Sequence, residues 1–89
     1  MEIELQRGFA KDIRRIPKQV QKQVASVIQL IIAANTLDDI PHLKQLSGYP
    51  NYFRIKMGQY RMGFFWDGEK LLIESFGVRG DFYKKYPPN

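Results

Sequence analysis

Residues 52–77 constrain this chain more than any other part of it. Three strand-forming runs, Tyr52–Met57, Tyr60–Trp66 and Leu71–Gly77, follow one another with only short turn segments between them. Parallel strands need a crossover of a dozen residues or more, so runs this close must pair antiparallel as hairpins. The first run alternates, with Phe53, Ile55 and Met57 on one face and Tyr52, Arg54 and Lys56 on the other. The second is aromatic and strongly strand-forming. Gly58–Gln59 makes the first turn, and Asp67–Gly68 is the clearest hairpin signal in the chain.

A three-strand meander with one apolar face needs a cover, and the N-terminal half supplies it. Glu2–Gln6 alternates polar and apolar as a half-buried strand does. Phe9, Ile13 and Ile16 then fall at helical spacing, and Pro17 either ends that helix or opens the next one. From Lys18 to Ala34, the residues Val20, Val24, Val27, Ile28 and Ile31 form the buried stripe of a second helix. Leu37–Asn51, with Pro41, Ser47–Gly48 and Pro50, reads as an irregular connector pinned by Leu43 and Leu46. Val78–Tyr86 reads as a tail. The predicted architecture is α+β, a single domain over residues 1–89: an N-terminal strand, a two-helix hairpin, then the antiparallel meander, with both helices on one face. The other face, which carries Arg54 and Lys56, is expected to be partly open.

The side-chain inventory removes several classes of chemistry. The chain has no cysteine and one histidine, His42, which argues against disulfides, thiolate nucleophiles and a zinc site. It has no glycine-rich phosphate loop and no HExxH motif. His42 sits beside Pro41 in the connector and reads as a surface histidine rather than a triad member. The longest apolar run, Leu30–Ala34, falls far short of the ~18 residues of a membrane span. No secretory pattern opens the chain. The expectation is a soluble cytoplasmic protein without metal or cofactor.

Charge points to a partner. The net charge is +5, and it is clustered. Arg7, Lys11, Arg14, Arg15, Lys18 and Lys22 face only Asp12 within residues 7–22, and Arg54, Lys56 and Arg61 have no acid among them. Such clusters suit a polyanion. Arg54 and Lys56 lie side by side on one strand face, Arg61 lies just past the turn, and Arg79, Tyr83, Lys84 and Lys85 follow the last strand. Guanidinium and ammonium groups hold phosphodiesters, and aromatic rings stack on unpaired bases. The same set suits RNA cleavage by the ribose 2′-OH, which needs a base, cations for the charge on phosphorus, and a proton donor for the leaving oxygen. Arginine cannot be that base, whereas Lys56 can if Arg54 and Arg61 repel its charge. The same spacing also suits an ordinary solvated sheet face.

The stretch LKQLSGY from Leu43 to Tyr49, then YFRIKMGQYR from Tyr52 to Arg61, then Gly77-Val-Arg79-Gly-Asp-Phe-Tyr83, resembles the signature of the RelE/ParE toxin superfamily. The opening Phe9–Ile13 resembles that family's first helix, so the likeness spans nearly the whole chain. It implies a curved antiparallel sheet with two N-terminal helices on one side. It also implies the toxin of a type II toxin–antitoxin pair, monomeric alone and hetero-oligomeric with its cognate antitoxin. RelE-like members cut mRNA in the ribosomal A site without a metal, through basic residues and a C-terminal tyrosine. On this chain Arg54, Lys56, Arg61, Arg79 and Tyr83 match that set, and Lys56, Arg61, Arg79 and Tyr83 are the catalytic candidates. Lys56 is then base or charge stabiliser, Arg61 and Arg79 stabilise the phosphorane, and Tyr83 orients or stacks on the substrate base. Arg54, Lys84 and Lys85, with Lys11, Arg15 and Lys18 of the N-terminal basic cluster, are expected to bind RNA. The alternative is a ParE-like inhibitor that binds DNA gyrase and cuts nothing. A third is an RNA- or antitoxin-binding module without activity.

Overall fold

A computed structural model describes residues 1–88. In chain order it has β1 (Ile3–Leu5), α1 (Arg7–Ile13), α2 (Lys18–Ala33), a 3-10 turn (Leu37–Asp39), β2 (Lys44–Gln45), β3 (Tyr52–Met57), β4 (Tyr60–Trp66), β5 (Leu71–Val78) and α3 (Arg79–Lys85). The strands form one sheet in the order β1-β5-β4-β3-β2. The meander predicted from the short turns is present: β3 pairs antiparallel with β4, and β4 with β5. Gly58 takes the positive φ of 60° that the two-residue β3–β4 turn demands. The β4–β5 connection is wider than its Asp67–Gly68 signal suggests. It spans residues 67–70, and the Asp67 carboxylate closes it by accepting from the Glu69 and Lys70 amides.

Three features depart from the sequence reading. β1 pairs parallel with β5, from Ile3↔Leu71 to Leu5↔Ile73, so the sheet is mixed rather than purely antiparallel. The connector contributes β2, a two-residue strand against Arg54 and Phe53. The tail folds into α3. Pro17 is the N-cap of α2, so the chain turns sharply there and α2 begins at Lys18.

The core lies between α2 and one face of the sheet. Val24 and Ile31 of α2 are buried, as are Ile55, Met62, Phe64, Leu71, Ile73 and Phe76 of the strands. Val20, Val27 and Ile28 pack partly buried against them. α1 covers the part of β5 that β1 leaves free. Its Asp12 carboxylate accepts from the Phe76 amide at 3.1 Å and the Ser75 hydroxyl at 3.4 Å, so a side chain takes the place of a missing strand. On the outer rim, Lys70 pairs with Glu4 of β1 at 2.8 Å. That bond holds the Glu4 carboxyl below its usual range and raises the lysine.

The opposite face, expected to be open, is half covered by α3. Phe82 and Tyr86 are buried there, with Tyr52 at 5.7 Å from the Tyr86 ring and Phe65 at 4.9 Å from Tyr52. A side chain on Gly63 would place its Cβ 2.7 Å from the Tyr86 ring, so glycine is what lets the ring lie on β4. The register slips between Gly63 and Phe64, which leaves Glu74 without a partner across the strand. The Tyr86 hydroxyl donates to the Glu74 carboxylate at 2.9 Å and lies 2.7 Å from the Phe64 carbonyl. Burial first, and then the Glu74 charge, push the tyrosine far above its ordinary value, so it stays protonated.

Among the described residues, no helix is long and apolar enough to cross a membrane.

Candidate functional site

The half of this second face that α3 leaves uncovered is basic. β-pairing sets it residue by residue, because directly opposed residues share a face. Lys44 on β2 stands opposite Arg54 on β3, and Lys56 on β3 stands opposite Arg61 on β4. Arg54 and Lys56 are two apart on one strand, so all four side chains leave the same side of the sheet. Next to Arg61 on β5 is Gly77, which leaves room above the strands. Lys56 is exposed and Arg54 half-buried.

Arg61 behaves differently from its neighbours. It is only 6% exposed, and one of its terminal nitrogens donates to the Gly58 carbonyl at 2.7 Å and the Tyr60 carbonyl at 2.9 Å. Its Nε is buried without a hydrogen-bond partner among the described residues. The guanidinium therefore pins the β3–β4 turn from below and holds its charge next to Lys56. Arg79 opens α3, and its amide donates to the Gln59 carbonyl at 2.8 Å, which fastens the helix start to that same turn. Tyr83 follows one helical turn later, 42% exposed, with its ring edge-on to Phe82 at 5.0 Å. Residues four apart share a helix face, so Arg79 and Tyr83 line up toward solvent. The fold thus brings Arg54, Lys56 and Arg61 together around one turn, with Arg79 tied to it and Tyr83 beside Arg79.

The remaining expected RNA contacts lie elsewhere. Lys11 is exposed on α1, which packs against β5, Arg15 just after it, and Lys18 at the first position of α2, whereas Lys44 and Arg54 are at the β2 edge of the sheet. Arg15 and Lys85 share a groove with Asp12 and Asp81, between α1, the end of β5 and α3. Lys84 is exposed on the last turn of α3.

Two residues of the basic face escaped the sequence reading. Lys44 lies on a strand of two residues, too short for any alternation to show. His42 lines a shallow depression with Leu43, Lys44, Arg54 and Lys56. Only the turn at Ile40–Leu43 carries it there, and no sequence period encodes that turn. Among the described residues no three His, Cys, Asp or Glu side chains gather as a metal site.

Comparison with known proteins gives a consistent set of likenesses. The chain is 28% identical over 88 residues to Toxin RelE3 of Methanocaldococcus jannaschii, which covers 98% of this chain and 100% of that one. It superposes with a TM-score of 0.81 and 26% identity on a chain of the RelB–RelE antitoxin–toxin complex from Methanococcus jannaschii, over 94% of this chain and 99% of that one. YafQ from E. coli strain BL21(DE3) shares the fold, with a TM-score of 0.70 at 18% identity, over 90% of this chain and 94% of that one. No family model matches the sequence.

Proposed function

We propose that this chain, similar in sequence and fold to RelE-like toxins, is the toxin of a type II toxin–antitoxin pair, an endoribonuclease that cuts mRNA on the ribosome. The observation that carries the proposal is the gathering of Lys44, Arg54, Lys56 and Arg61 on one sheet face, with Arg79 tied to its turn. Among the described residues no carboxylate lines the depression formed by Arg54, Lys56 and Lys44, which favours a phosphodiester there.

In the proposed reaction the ribose 2′-oxygen attacks the adjacent phosphorus, the P–O5′ bond breaks, and a 2′,3′-cyclic phosphate and a 5′-hydroxyl result. Lys56 receives the 2′-OH proton or offsets the charge that builds on phosphorus. Arg61 and Arg79 stabilise the phosphorane, the first from its anchored position under the turn, the second from the start of α3. Tyr83 offers its exposed ring to a base. Arg54, Lys84 and Lys85 hold the backbone, and Lys11, Arg15 and Lys18 extend the contact across the molecule. These groups supply positive charge and proton transfer without a metal. They supply little alignment of the nucleophile, and ribosome-bound mRNA provides that alignment. The site of action is then the cytoplasm. The silencing partner is an antitoxin segment, acidic or amphipathic, laid over the basic face.

The test is induced expression of the wild type and of Lys56→Ala, with growth followed and mRNA 5′ ends mapped in translating cells. The wild type should arrest growth and produce codon-phased cuts. Lys56 is exposed, so its loss should leave the fold intact and reduce cutting by about 100-fold or more. Arrest without cuts would shift the reading to gyrase inhibition, and no arrest would sink it.

A further inference from the structure

The depression beside Lys56 holds one group with a chemistry its neighbours lack. Lys44 and Arg54 line it as cations, and arginine has no acceptor to offer. His42 is the only histidine of the chain, and an imidazole carries a lone pair within the ordinary pH range. The nearest acids along the chain, Asp38 and Asp39, do not line the depression, and Asp39 is engaged by the Asn35 and Thr36 amides at 3.2 and 3.1 Å.

The backbone adds a second, independent observation. Ile40–Leu43 is a turn closed by the Leu43 amide on the Ile40 carbonyl at 3.4 Å, with Pro41 and His42 at its centre. His42 has φ = 65°, a conformation glycine adopts freely and residues with a side chain adopt seldom. The turn is clamped on both sides: Ile40 is buried, Leu43 packs against the core, and Lys44 enters the sheet directly after. A strained residue held this firmly beside a reactive cluster is where function is expected to impose the side chain.

On the reading that this face cleaves RNA, we propose that His42 is the general base of the reaction. Neutral imidazole takes the proton from the 2′-OH as the 2′-oxygen bonds to phosphorus. The Lys56 ammonium then gives a proton to the 5′-oxygen as the P–O5′ bond breaks. The cycle leaves an imidazolium and a neutral amine, which exchange one proton through solvent. This assignment frees Lys56 from acting as a base among cations and lets it work in its protonated form.

The test is single-turnover cleavage of ribosome-bound mRNA by the full chain and by His42→Gly and His42→Lys. Glycine suits the positive φ, so the His42→Gly variant should fold at least as stably as the wild type, which thermal melting checks. Its cleavage rate should fall by about 100-fold or more and should recover in part, dose-dependently, when free imidazole is added. His42→Lys should stay slow. Wild-type rates in His42→Gly would overturn the assignment. So would a loss that imidazole does not restore, or that lysine repairs, since either would make the residue a charge or a contact only. A wild-type chain that does not cut would sink the nuclease reading itself, a separate outcome from these.

Discussion

At the residue scale, the contrast between Lys56 and Arg61 shows how a shared face gives different duties. The two are cross-strand partners, yet Lys56 projects into solvent while Arg61 is bonded to two carbonyls of its own turn. A buried guanidinium fixed in this way is pre-organised, so its field at a bound phosphate costs no rearrangement. Tyr86 is the corresponding fixed point on the covered half of the face. Its protonation is favoured by burial and by Glu74, so unfolding exposes a hydroxyl that ionises near pH 10 while the folded state keeps its proton. No stability is lost through this group below that pH. Above it the unfolded chain binds fewer protons, and stability should drop by up to about 1.4 kcal/mol per pH unit. Denaturation of the wild type and Tyr86→Phe at pH 8 and pH 11 should show the smaller loss in Tyr86→Phe, and equal losses would refute the assignment.

At the element scale, α3 decides how much of the basic face is exposed. It has seven residues and only two turns, so packing rather than intrinsic propensity keeps it helical. Phe82 and Tyr86 supply that packing against Tyr52 and the bare surface of Gly63. Phe82→Ala should remove about 3–5 kcal/mol of stabilisation if the whole domain feels it. If α3 comes loose alone, amide exchange should quicken within Arg79–Lys85 while β3, β4 and β5 stay protected. Hydrogen exchange with a denaturation curve separates the two, and neither effect would mean that α3 is not held by this contact. The helix was not legible in sequence for the same reason it depends on packing. Two apolar side chains in two turns make no period, and Gly80 weakens helix propensity further. The turns of the meander, by contrast, are local, and β3 and β4 lie where the alternation and turn residues placed them.

At the scale of the whole molecule, the positive charge is divided between two edges of the sheet. Between the β3 site and α1 lie β4 and β5, each strand spacing being about 4.8 Å. On the proposed reading Lys11, Arg15 and Lys18 therefore contribute to association rather than to the chemistry at Lys56. The triple variant Lys11→Ala, Arg15→Ala, Lys18→Ala should raise KM for ribosome-bound mRNA and leave kcat within about twofold. The salt dependence of binding should weaken as well, by a slope of about 2 for three phosphate contacts on single-stranded RNA. A fall in kcat instead would place this edge inside the reacting site.

What the sequence by itself determined is what local rules encode. Short turns forced the antiparallel meander, the valine and isoleucine stripe of α2 assigned it a buried face, and strict alternation put Arg54 and Lys56 on the side away from the core. The tertiary structure decided everything that depends on distant segments meeting. The parallel pairing of β1 with β5 joins residues nearly seventy positions apart. The seating of Tyr86 on Gly63 needs the segment after β5 to fold back over the sheet. The arrival of His42 in the depression with Lys56 needs a turn with a positive φ, fixed by the packing of Ile40 and Leu43 on either side.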